Sequence, residues 1–584
     1  MIKKFNHRIL LYPTIILFLS LFGIFTNPTT IYSATYYVAK NGNDNNSGDK
    51  ALPWLTIQKA AGTILSGDQV YIKQGIYKET VRPKNSGTQK KYITYQAYAG
   101  DEVIIDAEDG IRNDCIRIDN VRYLYFKSLK LQGGKYSGFN ATASNNLILD
   151  NITAGPRNRL GIYFKNVTDS TIKNCEISYN QHGIYLNNPN NNITIENNHV
   201  SYSAPFLPVH DKWGHNITLQ PSSNTSNFVN TNIQIINNEV HHAKVQGILV
   251  AHSRYVLVKG NYSHHNGATG IQIEGWIGET NKLINPPKNI IVEYNTCEYN
   301  SQGYTSETGM WVDDAEDVVV QYNIMRHNET GIKVTGSSRI LVRKNLIYEN
   351  DVGNLSGGIR ISGTSKGQKG YNHTIVHNVL HKNCNSTNSH GDLRVRNAYY
   401  PEVLGTIVKN NIISEATGIY DLNIHYLTHI LDYNDYYNTR NLSINWQGTS
   451  KTWSEYLSAS GQDSHSITQN PLFTDPANSD FHLQTESPCI DKGTFLTTTT
   501  KSGTGTSLTV ADARYFIDGY RLIESDLIKV GSNNPVKVIN VNYSTNTITV
   551  DKSISWNKDD GVSYPYSSST PDIGAYEYGE TNIP

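Results

Sequence analysis

Four side chains of complementary chemistry, Glu274, Asp313, Lys333 and Arg360, occur in four segments written alike: GIQIE (270–274), GMWVD (309–313), GIKVT (331–335) and GIRIS (358–362). Apolar residues alternate with the rest, which is the period of an extended strand, so the apolar positions face one way and the others face the opposite way. Stacked in register at the ~4.8 Å spacing of neighbouring strands, Glu274 and Asp313 become vertical neighbours. Lys333 then lies on a diagonal of ~7–8 Å from Asp313, with Arg360 directly beyond it. Two chemistries suit this set. Two carboxylates ~5 Å apart are the nucleophile and acid/base pair of a retaining glycoside hydrolase. A lysine beside an arginine is a base for removing the proton α to a carboxylate, because a neighbouring positive charge favours its neutral form and stabilises the developing negative charge. That second reaction is β-elimination on a uronate-containing polysaccharide. In it, Glu274, Asp313 and Asp314 would hold Ca²⁺, which takes several carboxylate oxygens.

The same strand text runs through the middle of the chain and gives two outward columns. One reads Tyr163, Tyr185, Leu249, Gln272, Trp311, Lys333, Arg360, Arg394; the other reads Lys165, Asn187, Ala251, Glu274, Asp313, Thr335, Ser362, Arg396. Neutral and aromatic groups thus give way to two carboxylates and then to four cations, of which Arg360, Arg394 and Arg396 suit substrate carboxylates. The longest insertions, 203–213, 221–230, 276–288, 364–371 and 382–390, adjoin this strand and would wall a groove. Trp213, Trp276 and Trp311 either stack on sugar rings or pack under the loops, and His252, Glu307 and Asp314 lie at the margin.

What must hold these strands in register is a second repeat. Counting three residues on from an apolar anchor in each segment reaches Asn151, Cys175, Asn198, Asn238, Asn261, Asn295, Asn323, Asn345, Asn378 and Asn411. The shortest spacings are 22–24 residues, the length of one solenoid coil. Stacked at one turn, such amides hydrogen-bond from coil to coil. The fold expected is all-β, a parallel β-helix.

The whole-chain numbers agree. A solenoid accommodates 584 residues because each coil packs only on its neighbours. The formal net charge is -1 with no basic run, which argues against a nucleic-acid partner. Residues 1–34 read as an export signal: Lys3, Lys4 and Arg8 precede an apolar stretch from Ile9 to Phe25, and Ser33-Ala34 offer a cleavage site. The rival reading is a retained anchor, interrupted by Pro13. No later segment is apolar enough to span a bilayer, so no stable membrane insertion is expected. The protein is expected to be secreted or at the cell surface. Five scattered cysteines without a CxxC pair argue against a zinc site. No feature specifies an oligomeric state.

Residues 35–110 make an N-terminal cap and first coils, with the amphipathic WLTIQKAAGTIL (54–65) as a capping helix across the open end. The β-helix proper runs over 111–435, and 436–494 form a C-terminal cap region. A small β module of alternating strands is inserted at 495–568, and 569–584 close the chain. The stretches YYVAKNGNDNNSG, PWLTIQKAA, SGDQVYIKQGIYKETV and GDEVIID resemble the opening of secreted bacterial right-handed parallel β-helix proteins, the pectate-lyase-like superfamily of polysaccharide lyases and β-helix glycosidases. PCIDKG (488–493) and PDIGAYEYG (571–579) are similar to the group's C-terminal end. The resemblance covers 36–106 closely and the coils to about 425 by pattern. It implies a right-handed helix and a carbohydrate substrate, but not one reaction.

Within the coils, TGIKVTG (330–336) resembles the strand that carries the catalytic lysine of one pectate lyase family, and SGGIRISG (356–363) a groove-side strand of the chondroitin/alginate type. GMWVDD (309–314) resembles the strand bearing the catalytic aspartate in xylosidase-like enzymes, where the next coil supplies a glutamate; here it supplies Lys333. A polysaccharide lyase is the leading expectation, because a hydrolase of neutral glycans has no need of aligned cations. A retaining hydrolase using Glu274 and Asp313, and a non-catalytic glycan-binding surface protein, are the alternatives.

Overall fold

The computed structural model describes residues 33–580 except 188, 205–213, 222–228, 278–282, 302–307, 353–356, 365–367, 386, 388–389, 396–401 and 426–427; for 276–277 and 283–284 it describes the backbone only. The export-signal reading, Trp213, Glu307 and Arg396 therefore lie outside the described residues or, for residues 33–34, at their very edge.

The chain folds as an all-β parallel solenoid. One coil consists of a first-sheet strand such as Glu316–Gln321, a short second-sheet strand, Ile324–Arg326, and a third-sheet strand, Thr330–Thr335. The chain then returns to the first sheet at Ser338–Arg343, directly over the strand it left, with Glu316 opposite Ser338 and Val318 opposite Ile340. Repetition builds three long parallel sheets around one interior. Alternation sends Ile332 and Val334 inward, where both are fully buried, and a single apolar core continues from Val38 to Tyr456.

Corners set the register. Asn198 Oδ1 accepts the backbone N–H of Cys175, and from Asn238 through Asn261, Asn295, Asn323, Asn345, Asn378 and Asn411 to Asn434 each side-chain oxygen accepts both the backbone N–H and the Nδ2 of the ladder residue before it, at 2.9–3.1 Å. Each Nδ2 also donates to carbonyls of its own or the previous coil, so amides that are 2% exposed or less are fully satisfied. Asn151 is a correction to this series. It is exposed, with φ 55°, and bonds Ser128; Ile152 precedes the second-sheet strand as Cys175 precedes the next and so takes the ladder position. The residue before each ladder position adopts the left-handed conformation, which Asn tolerates well. A second ladder, unread in the sequence, lies five residues downstream at the next corner: Asn266, Asn300, Asn328, Asn350 and Asn383.

The N-terminal helix, Ile57–Thr63, buries Ile57, Ala60 and Ala61 in the main core. Glu79 accepts from the free N–H groups of Ile57 and Gln58 at its start. Near the other end, Trp453–Ser460 is a helix begun by a Thr452/Glu455 capping box, and its Tyr456 packs edge-on to Trp446 in the same core. The two closing motifs meet although the module separates them in sequence: Ile573 N–H donates to the Cys489 carbonyl, and Asp491 N–H to the Asp572 carboxylate. They pack with Phe473 and Phe481 on outward residues of the second sheet, including Leu346, Tyr348, Val379 and Ile412.

The inserted module is a six-stranded antiparallel sheet. Rather than extending the C-terminal end, it lies against the outer face of the first sheet, where Leu257, Ile291, Val319, Leu341, Val376 and Ile407 join its core. Those outward positions are apolar because they are covered. Arg343 is the polar anchor: its guanidinium forks onto Asp526 at 2.7 and 2.8 Å and donates to the Tyr564 hydroxyl at 2.6 Å. All five cysteines are buried and unpaired with one another.

Candidate functional site

The third-sheet strands Ile271–Glu274, Thr308–Asp313, Thr330–Thr335, Gly357–Ser362 and Leu393–Val395 carry the residues singled out above. Their register places Glu274 opposite Asp313, and Asp313 opposite Thr335. In the adjacent column Gln272, Trp311, Lys333, Arg360 and Arg394 follow one another coil by coil. Carboxylates and cations thus form one outward patch, with Asp313 and Lys333 on a diagonal. Between Tyr163 and Arg394 the structure adds one member to the column: Thr218, on Ile217–Leu219, sits between Tyr185 and Leu249. Its strand is three residues long and flanked by insertions, which hid its period.

Side-chain contacts knit the patch together in a way that strand text does not reveal. The Lys333 ammonium lies 3.6 Å from the centroid of the Trp311 ring, and Lys333 is only 9% exposed. Trp311 Nε1–H donates to the Thr335 hydroxyl at 2.8 Å, and that hydroxyl donates to the Asp313 carboxylate. Thr335 is therefore the residue that couples the aromatic, the cation and the acid. Gln246 similarly fixes the side chain of Gln272 through a 2.6 Å hydrogen bond.

The margin residues occupy the corner that follows each strand. His252, Gly275, Asp314 and Gly336 succeed Ala251, Glu274, Asp313 and Thr335, which are in register. His252 (φ 45°) is fully buried, and burial pushes its imidazole below the ordinary range. Asp314 (φ 49°, 4% exposed) is wedged between two glycines: a Cβ on Gly336 would stand 2.2 Å from its Oδ1, and one on Gly275 would overlap its backbone. Its side chain belongs to the corner, not to the column of Glu274 and Asp313. Among the described residues, one group of three histidine, cysteine or acidic side chains has ligand atoms within 4.8 Å of one another, and it lies elsewhere. Trp276 begins a short antiparallel hairpin, Trp276–Ile277 with Leu283–Ile284, that rises just after Glu274. Near the cationic end, Asn383 donates to buried Asp392 at 3.3 Å, and desolvation holds that carboxyl well above its usual range.

Family models match much of the helix. Residues 36–203 match a Pel9A-like, right-handed β-helix region, and residues 217–399 a right-handed β-helix region. The chain is 26% identical over 486 residues to the uncharacterized protein YwoF of Bacillus subtilis (strain 168), spanning 77% of this chain and 91% of that one. It is 29% identical over 131 residues to pectate lyase PEL9 of Emericella nidulans, a match that covers 20% of this chain and about a third (32%) of the relative. Among solved structures, that of XylC with xylose aligns over 90% of this chain and 99% of the other, at 12% identity and a TM-score of 0.40.

Proposed function

Because the chain belongs to the pectate-lyase-like superfamily of right-handed parallel β-helix proteins, we propose that it is an exported carbohydrate-active enzyme that cleaves a uronate-containing polysaccharide by β-elimination on the outer face of the third sheet. The observation that carries this reading is the unbroken column Lys333, Arg360, Arg394 beside the Glu274–Asp313 pair. A polyanion needs a row of cations, and the proton to be lost lies α to a carboxylate that one of them neutralises.

In this reading the Lys333 amine takes the α proton, its electron pair forms the new carbon–carbon double bond, and the glycosidic C–O bond at the β carbon breaks as its oxygen gains a proton. Arg360 stabilises the charge that builds on the uronate carboxylate, and Arg394 and Arg396 seat neighbouring sugars. Glu274 and Asp313 would hold a Ca²⁺ ion, which would supply positive charge to polarise the uronate carboxylate.

Retaining hydrolysis is a second reading, supported by the Cα-to-Cα pairing of Glu274 with Asp313 one coil apart, which suits the ~5–5.5 Å separation of that mechanism. Incubation with polygalacturonate, alginate, chondroitin and xylan, with Ca²⁺ or with chelator, separates the two. Elimination yields an unsaturated, ultraviolet-absorbing product on an acidic polymer. Reducing ends without unsaturation would replace it with hydrolysis, and binding without product would leave a glycan-binding surface protein.

A further inference from the structure

On the second sheet, a different sheet from the one that carries the Glu274–Arg394 patch, histidines and glutamates gather on three successive coils. His199 and Glu239 are cross-strand partners, and His241 lies two residues beyond Glu239 on the same outward face, next to His264 of the following coil. The Nε2 atoms of His199 and His241 face each other at 2.6 Å, and one ligand atom from each of His199, Glu239 and His241 falls within 4.8 Å of the others. The far nitrogens are engaged. His199 Nδ1 is 2.6 Å from the Glu176 carboxylate, which makes that nitrogen the N–H and leaves Nε2 with a lone pair. His241 Nδ1 is 2.6 Å from His242 Nδ1. A neutral His241 that donates its Nδ1–H to His242 presents Nε2 as a second ligand lone pair beside that of His199.

We propose that His199, His241 and Glu239 form a binding site for a divalent transition metal of the zinc class, clasping two neighbouring coils. Two imidazoles and a carboxylate are a zinc donor set with a fourth position open, and they are a poor match for calcium, which takes oxygen ligands. Glu176 stands behind His199 as the carboxylate that commonly orients a metal-bound imidazole. His264 Nε2, 3.2 Å from Glu239 Oε1, is placed to orient that carboxylate or to take the fourth position itself. Bonds of ~2.0–2.1 Å in a tetrahedron need ligand nitrogens about 3.3 Å apart, so the two rings must open by under about 1 Å, a small rotation for side chains at the surface. The site is independent of the carbohydrate reading.

The test uses the full mature chain without a histidine tag, stripped with chelator and titrated with ZnCl₂. One zinc should bind per chain with a Kd of about 10 µM or tighter, raising Tm by at least about 2 °C at saturation. CaCl₂ at the same concentration should do neither. His199→Gln and His241→Gln should each weaken zinc binding at least tenfold, and Glu239→Gln should do so without loss of a hydrogen-bonding group facing His264. His465→Gln, at the exposed His465–Asp432 pair, serves as the control and should bind as the parent does. Absence of bound zinc and of a Tm shift at 100 µM, or zinc binding that all three site variants retain, would overturn the proposal.

Discussion

Lys333 and Trp311, 22 residues apart in sequence, are joined face to ammonium at 3.6 Å on adjacent coils of the third sheet. Through Trp311 Nε1–H and the Thr335 hydroxyl, the contact continues to Asp313. A cation, an aromatic ring and a carboxylate are thereby held as one unit, and its members can be removed singly.

Lys333→Ala should lower kcat/KM for formation of unsaturated product at least ~10²-fold, the contribution of a positioned base. Asp313→Asn should instead stop release of reducing ends if hydrolysis is the reaction. A Lys333→Ala variant with undiminished product would remove the lysine from the chemistry.

Thr335→Val should separate positioning from folding. It removes the hydroxyl between Trp311 and Asp313 at constant shape, at a stability cost of about 1 kcal/mol. Because Asp313 and Trp311 then lose their mutual orientation, kcat should fall about tenfold with little change in Tm. Equal kcat in the two proteins would make the network ornamental.

Asp526→Ala should loosen the inserted module. It leaves the Arg343 guanidinium, 4% exposed, without its carboxylate, at a cost of about 3–5 kcal/mol. Limited proteolysis should then cut within 495–568 while the coils stay resistant. Arg343→Met together with Asp526→Leu should restore resistance, since an apolar pair suits the surrounding core.

Asp435 should make stability depend on pH. Burial raises its carboxyl to about 7, against the opposing pull of hydrogen bonds from the Cys489 thiol and the Gln469 N–H. Between the unfolded value of about 3.9 and 7, the folded chain keeps a proton that the unfolded chain has lost, so this contribution is full below about pH 4 and is lost as pH rises through 7. Asp435→Asn stays neutral throughout. From pH 5 to pH 8 the parent should lose on the order of 2 kcal/mol more stability than the variant, as read by denaturant unfolding at each pH. Parallel curves for the two proteins would contradict this.

Much of the architecture was legible because it is written locally and repeatedly. An apolar residue every second position and an asparagine once per coil specify strand, corner and register together, and from them the vertical order of Glu274, Asp313, Thr335 and of Trp311, Lys333, Arg360, Arg394 follows. The reading slipped where the period was masked. Thr218 sits on a three-residue strand between insertions, and Asn151 satisfies the ladder pattern while occupying the left-handed position beside it. The sequence by itself determined which residues face outward and which coil each belongs to, since alternation and coil length depend on near neighbours alone. Only the tertiary structure decided where side chains with several rotatable bonds come to rest, and which apolar outer face the module covers. The Lys333–Trp311–Thr335–Asp313 unit, the facing imidazoles of His199 and His241, and Arg343 beneath Asp526 all depend on contacts between segments 22 to 183 residues apart, which no local period encodes.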